Sequence, residues 1–539
     1  MKIIAIIILI AISFIAWDFS FKTVKPLAAK KPNIVLIMAD DMAFSDIGCY
    51  GSEIKTPNLD KLASEGMRLK QCYNNAICAP SRATLLTGQY PHKAGVGFFN
   101  INLGLPAYQG YLNKPSLTLG EVFKQAGYNT FLSGKWHVGL DSSQWPLQRG
   151  FDKFYGFLKG AFSFFDTKPT TKGDADFLID NNQKLYSTPQ NFYLTDELTR
   201  RGIEFLKNND KNKPFLLYMA YSSPHWPLHA KPQDIAKYKG KYNIGWDSLR
   251  TLRLEKQIKL GLIDKNMKPS KDNSLPTWNS LTYDERQYWV KKMEVYAAMV
   301  DNLDQNIGQL VQYLKVAGEL DNTLIVFVSD NGAEGWDFSK MGMAVQRHTG
   351  TVGTAGSNES YTKNWSQASN MPLKSYKSTP YEGGISTPFI ARLPQIIPAN
   401  TIKEGVVHFV DFMPTFLDLA GVNYPTTYHN IASNPLAGEN FANLLRGQAW
   451  ERAKPIFYEW SGNRMVRKGK WKLISLYPQN KWELYDMDND RSENIDIAKD
   501  NPSIVAEMNA AYLSWAKQND VTDWNEELGN KTGSAFKKN

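Results

Sequence analysis

Cysteine is nearly missing from this chain, with three in 539 residues: Cys49, Cys72 and Cys78. That excludes a disulfide framework, since one pair is the most that can form and one thiol is then left over. A membrane-spanning run is missing as well. The apolar stretch of "MKIIAIIILIAISFIAW", Ile3 to Trp17, falls short of the roughly 20 residues that a spanning helix needs. Behind a single lysine it suits a signal-peptide core. Residues 1–29 are therefore expected to be a signal peptide, or an N-terminal anchor if uncleaved, and the protein to be exported, periplasmic or secreted. No lysine/arginine run with interleaved aromatics marks a nucleic-acid face. Lys and Arg (62) nevertheless exceed Asp and Glu (53), for a net charge of +9. Either an anionic partner or a lysine-rich solvated surface accounts for that. Internal repeats and low-complexity tracts are also absent. With 42% apolar and 21% charged residues, the chain reads as globular and long enough for two folding units.

What is present is an alternation of short apolar runs with helical patterns. "NIVLIMA" (Asn33–Ala39), "NTFLSG" (Asn129–Gly134), "PFLLYMAY" (Pro214–Tyr221) and "TLIVFVS" (Thr323–Ser329) read as buried strands. "TPNLDKLASEGM", "SLTLGEVFKQAG", "TDELTRRGIEFLK" and "MEVYAAMVDNLDQNIGQLVQYLKVAGEL" carry helical spacing, the last with Ala297, Val300, Leu303 and Ile307 on one face. This predicts an α/β fold with a large mixed, mainly parallel sheet flanked by helices. From about Lys237 to Tyr288 the chain is rich in lysine and reads as a surface helical insertion. Beyond Asn440, "PIFYEW", "RMVRKG", "KWKLISL" and "KWELYDM" predict an antiparallel sheet, followed by a terminal helix. The expected division is an α/β domain over residues 30–439 and a smaller α+β subdomain over 440–539.

Polar groups follow each strand. Asp40 and Asp41 end the first, Asp330 and Asn331 the last, Lys135 and His137 follow the second, and His225 follows the third. Ligands of open α/β sheets bind outside the carboxyl ends of the strands, so these positions define a candidate site. Asp40, Asp41, Asp330 and Asn331 offer the oxygen donors of a hard divalent cation. Turn chemistry alone would also place Asp and Asn there. Lys135 and His137 alternate along an extended chain, and a cation beside an imidazole fits an anionic substrate undergoing proton transfer.

"CAPSRATLLTG" (Cys78–Gly88) places Pro80 in the first turn of a predicted helix that stops at Gly88. Cys78 then sits at a helix N-terminus, where a thiolate or an anionic ligand is favoured. Arg82 returns to the same face one turn later and can clamp an oxyanion. A buried, inert cysteine and a thiol nucleophile both remain open at this level.

The Cys-x-Pro-Ser-Arg core with Leu-Thr-Gly resembles the signature of the sulfatases, most closely the bacterial arylsulfatases. Further blocks are similar, in the family's order: "NIVLIMADDMAFSDIGCYG", "GKWHVG", "SSPHWPLHA", "LDNTLIVFVSDNGAEG", "KSTPYEGGISTPFIARLP" and "WELYDMDNDRSENIDIA". The resemblance runs from about Lys31 to about Lys499. It implies an alkaline-phosphatase-like sheet and hydrolysis of aryl or sugar sulfate monoesters to an alcohol or phenol and sulfate. It further implies conversion of Cys78 to Cα-formylglycine by a maturase. One calcium would be held by Asp40, Asp41, Asp330, Asn331 and the modified Cys78. Arg82, Lys135, His137, His225 and Lys377 would surround the sulfate. Gln89 departs from the arginine that many relatives carry, and His229 would be a substrate-side group. The rivals are a phosphonate or phosphodiester hydrolase of the same superfamily, and a catalytically dead sulfatase-like binding protein.

Overall fold

A computed structural model describes residues 30–170, 176–270, 272–338 and 350–532; the expected signal segment lies outside them. Ten strands make one sheet: β1 (Asn33–Ala39), β2 (Met67–Tyr73), β3 (Asn129–Lys135), β4 (Lys153–Phe157), β5 (Leu178–Asp180), β6 (Gln183–Leu185), β7 (Phe215–Ala220), β8 (Thr323–Ser329), β9 (Ser386–Arg392) and β10 (Thr401–His408). Their order is β10-β2-β9-β8-β1-β7-β3-β4-β5-β6. Neighbours from β8 through β4 run parallel, whereas β9 is antiparallel to both β8 and β2. The sheet is therefore mixed and mainly parallel, as the alternation of runs and helices predicts.

All seven residues of β1 and all seven of β8 are buried, which is why these strands read as continuous apolar runs and not as alternating ones. Their side chains still alternate between two cores. Val35, Ile37, Leu217 and Phe327 join the core beneath the helices Pro57–Ser64, Leu194–Lys207 and Tyr283–Val316. Ile34, Leu36, Leu216 and Val326 join the opposite core, with Leu85 and Leu86 of the helix Cys78–Thr87 and Phe412 and Phe416 of the helix Phe412–Ala420.

One expectation changes and another gains detail. The long helix starts at Tyr283, ten residues before the periodic pattern is recognisable, because Thr282 and Glu285 form a capping box. The lysine-rich segment is helical and largely exposed, and it is also anchored in the core. Its helix Gly245–Lys259 buries Trp246, Leu249, Arg253 and Gln257 along one face, and Trp246 packs edge-on against Trp278 (4.8 Å) and Trp365 (5.5 Å). Lysines on the solvent side mask that face in the sequence.

After a short hairpin, β11 (Thr427–Tyr428) with β12 (Ile431–Ala432), the chain builds a separate antiparallel sheet. Strands β13 (Ile456–Trp460), β14 (Asn463–Lys468), β15 (Trp471–Ser475) and β16 (Trp482–Asp486) follow one another in space as in sequence. The helix Pro502–Gln518 covers it with Met508, Tyr512 and Trp515. Cys49, Cys72 and Cys78 are all buried and free, so no disulfide joins Cys49 to Cys72.

Candidate active site

The parallel register decides where the site lies. Ala39 pairs with Ser329, and Ala220 pairs with both Met38 and Gly134, so the residues that follow emerge at one sheet edge. Asp40 and Asp41 leave β1, Asp330 and Asn331 leave β8, and Lys135 closes β3. Gly134 allows the last of these. At φ +132° an added Cβ would stand 1.9 Å from the Ala220 carbonyl oxygen. Asp41 and His137 both hold left-handed backbone, at φ 63° and 57°, a conformation that accumulates where a site overrides local preference.

These groups interlock. Lys135 Nζ donates to Asp40 Oδ2 (2.7 Å). Arg82 donates to Asp330 Oδ2 through Nε (3.0 Å) and Nη2 (2.7 Å), and through Nη1 to the Lys135 carbonyl (3.2 Å). The Arg82 fork is thus turned onto a carboxylate, not held open for an oxyanion. Asn331 Nδ2 donates to Asp41 Oδ1 (2.6 Å). Lys377 Nζ reaches Asp41 Oδ1 (2.8 Å) and Glu334 Oε2 (3.0 Å). Burial pushes the Asp41 carboxyl up, but Lys377 and His225 outweigh it and hold Asp41 below the usual carboxylate range. Burial, followed by Asp330, raises Asp40. Glu334, which the sequence reading passed over, is pushed up to about 7 by burial, against the pull of Lys377.

Two buried acceptor oxygens, Asp40 Oδ1 and Asn331 Oδ1, have no hydrogen-bond partner. Such oxygens are costly unless something binds them. Together with the carboxylates of Asp41 and Asp330 they make a hard-oxygen set that fits a divalent cation. Asp40, Asp41 and His225 each place one ligand atom within 4.8 Å of the others. The imidazole of His225 beside this group was not legible from spacing.

Cys78 opens the helix Cys78–Thr87, which Gly88 stops at φ +65°. Ser81 Oγ accepts from Asn75 N (2.9 Å) and Ser378 N donates to Ala76 O (2.7 Å), tying the turn ahead of Cys78 to the loop that carries Lys377. Burial raises the Cys78 thiol above its ordinary pKa, despite the opposing pull of Lys135 and Lys377. Cys78, His137, His225 and Lys377 line one cavity of about 470 Å³. Burial lowers both imidazoles well below their usual pKa; Lys135 and Arg82 add to this at His137, while Asp41 opposes it at His225. His225 Nδ1 lies 2.5 Å from Trp226 O, which fixes Nδ1 as donor and leaves Nε2 facing Asp41 Oδ2 at 3.5 Å. His229 does not reach this cavity. Its Nε2 bonds Ser357 O (2.7 Å) and its Nδ1 accepts from Phe164 N. Gln89 pins the Pro435 carbonyl (2.9 Å).

The sulfatase family profile matches residues 32–422, and a second profile, for the N-sulphoglucosamine sulphohydrolase C-terminal region, matches 376–518. An uncharacterized sulfatase of Schizosaccharomyces pombe is 36% identical over 92% of this chain and 95% of its own. An arylsulfatase of Klebsiella aerogenes is 34% identical over 73% of this chain and 88% of its own. The crystal structure of Ps i-CgsB in complex with k-i-k-neocarrahexaose superposes with a TM-score of 0.69 at 28% identity, over 94% of this chain and 100% of that one. With more than half of its length matched by the family profile, this chain belongs to the sulfatases, hydrolases of sulfuric esters.

Proposed function

We propose that this chain hydrolyses sulfate monoesters with Cys78, matured to Cα-formylglycine, as the nucleophile-bearing residue. Beside it, one calcium would be held by Asp40, Asp41, Asp330 and Asn331. The observation that carries the reading is the convergence on one cavity of Cys78, His137, His225 and Lys377, with Lys377 paired to Asp41 among the strand-end donors that include two orphaned oxygens, Asp40 Oδ1 and Asn331 Oδ1. A maturase and an exported location, with residues 1–29 as signal or tether, belong to the same proposal.

As its hydrate, the modified side chain would offer one hydroxyl to sulfur and a second whose deprotonation re-forms the aldehyde and releases sulfate. A bound calcium would supply charge stabilisation for the attacking oxygen and the sulfuryl oxygens. Lys377 directs its ammonium into the cavity from between Asp41 and Glu334. Lys135, held by Asp40, sets the potential beneath Cys78. As the imidazolium, with Nδ1–H held by the Trp226 carbonyl and Asp41 beside Nε2 favouring the charged ring against burial, His225 would deliver the Nε2 proton to the departing oxygen. His137, kept neutral by burial, takes the proton of the second hydroxyl.

Peptide mass spectrometry after co-expression with a maturase tests this together with kinetics. An aldehyde or its hydrate should appear at position 78, and an aryl sulfate should be hydrolysed far faster than the matching phosphate or phosphonate. Full activity with an intact Cys78 thiol would sink the modification, and a preference for the phosphonate would replace the function. His225→Ala should cost about 10²–10⁴-fold on alcohols of high pKa and progressively less as the leaving oxygen becomes less basic. A loss equal across leaving groups removes His225 from the acid role.

A further inference from the structure

The cavity above Cys78 has two unlike ends. Its floor is the polar machinery just described; its wall is aromatic carbon. Trp226 and Phe338 stack at 4.5 Å with 20° between their planes, and Trp336 meets Phe338 edge-on at 5.8 Å. Phe99 faces the His137 ring at 6.2 Å with 28° between the planes, and Ile101 and Leu140 complete the approach. Among the described residues, three polar groups on this wall are engaged within the protein. Trp226 Nε1 donates to the Asn358 carbonyl (2.9 Å) and presents only carbon to the cavity. With its amide turned so that both ends are satisfied, Asn100 donates to the His137 carbonyl (3.0 Å) and accepts from Gly139 N (3.0 Å). Lys159 is ion-paired with the buried Asp176 (2.8 Å).

The chemistry of the alcohol half follows. A sugar ring would bring hydroxyls that lose water against carbon and find their donors and acceptors spent, each costing more than it returns. A second sulfate on the same molecule would meet, at Lys159, a cation already neutralised. An apolar ring gains by leaving water and can stack or meet edges with three aromatic side chains. A cavity of about 470 Å³ accommodates more than a single benzene ring.

We propose that this wall is a leaving-group subsite for an uncharged apolar ring system, so that the protein acts on sulfate monoesters of fused-ring alcohols or phenols in preference to sulfated sugars. The proposal rests on the sulfatase reading above, and its test separates the two. The matured enzyme is assayed with phenyl sulfate, 1-naphthyl sulfate, glucosamine 6-sulfate and a doubly sulfated carrageenan oligosaccharide. Phenyl and naphthyl leaving groups differ little in acidity, so their ratio reads the subsite and not the chemistry. With about fourfold in kcat/KM for each buried carbon group, 1-naphthyl sulfate should exceed phenyl sulfate by about tenfold or more, mainly through KM. The ratio should fall toward one in Phe338→Ala. It should also fall in Ile101→Asp, which sets a charge at the mouth without opening the core, with thermal unfolding confirming that each variant is folded. No turnover of any sulfate ester would defeat the parent reading. Turnover with the sugar sulfates preferred, or a naphthyl-to-phenyl ratio near one, overturns the subsite alone, as does a ratio untouched by both variants.

Discussion

Because Arg82 and the candidate metal site share the Asp330 carboxylate, the substitutions Asp330→Ala and Asp330→Asn ask different questions. Alanine leaves Arg82, which is fully buried, without its closest countercharge, an effect of about 3–5 kcal/mol for a broken buried pair. Asparagine keeps an acceptor for the guanidinium and removes only the charge. We expect Asp330→Ala to lose both stability and calcium, and Asp330→Asn to stay folded while binding calcium more weakly. Thermal unfolding and elemental analysis on the same preparations would check this. Undiminished calcium in Asp330→Asn and in Asp40→Asn together would take these carboxylates out of the metal assignment. Residues that end a buried strand were legible because the apolar run points at them: Asp40, Asp41, Asp330 and Asn331. Glu334 was not, although it lies three residues past Asn331, since only the contact with Lys377 reveals that this lysine needs a second carboxylate. The aromatic wall was equally silent. Trp226, Trp336 and Phe338 come from two distant loops, and nothing in local spacing tells a wall from a core.

At the level of elements, the strands of the sheet centre were read almost to the residue because burial on both faces removes the need to recognise alternation. Elements whose buried face is narrow are less legible, as in the helix Gly245–Lys259, where five buried positions stand among exposed polar and charged ones. The turn after β10 shows an element held by a titratable group. His408 ends that strand, and its Nδ1 accepts from Val410 N (3.3 Å) while its backbone N donates to Asp411 Oδ2 (2.7 Å). Burial, followed by Arg452, lowers the His408 pKa to about 3 from 6.5. A base depressed in the fold binds its proton first in the unfolded chain. Stability is therefore intact above pH 6.5 and lost progressively as pH falls toward 3. At pH 5 the loss from this ring is about 2 kcal/mol, at 1.36 kcal/mol per pH unit. His408→Gln should flatten the dependence of the urea midpoint between pH 7 and pH 5 by about that amount. An unchanged slope would mean that other buried histidines, such as His137 and His225, carry the acid sensitivity.

Across the whole molecule, the two sheets are joined by charge as well as by apolar packing. Lys472 on β15 is buried, with Nζ 2.8 Å from Glu382 and 2.7 Å from Glu493. Glu382 also takes Arg491 Nε (3.1 Å) and Tyr73 OH (3.1 Å), and Arg467 of β14 donates to that Tyr73 hydroxyl (3.1 Å). Glu382 opens the helix Glu382–Ile385, five residues after Lys377, so the cluster ties the small sheet to the loop that supplies an active-site cation. Burial raises both carboxyls, but Lys472 and Arg491 hold Glu382 at about 2, whereas Glu493 is left at about 7. Removing the ammonium in Lys472→Met leaves Arg491 to compensate Glu382 and leaves Glu493 with nothing comparable. Glu493 must then stay protonated to remain buried. An acid whose folded pKa is raised gives stability that is present at low pH and lost as pH rises through that pKa. We therefore expect Lys472→Met to lose about 3–5 kcal/mol at pH 8 and clearly less at pH 6. Lys472→Met/Glu493→Gln should recover most of the loss at pH 8 and most of the kcat/KM lost through the displaced Lys377 loop. Urea unfolding at both pH values, read beside sulfate-ester turnover, tests this. If the double variant regained stability but not turnover, the sheets would be joined by these charges without the active site depending on them.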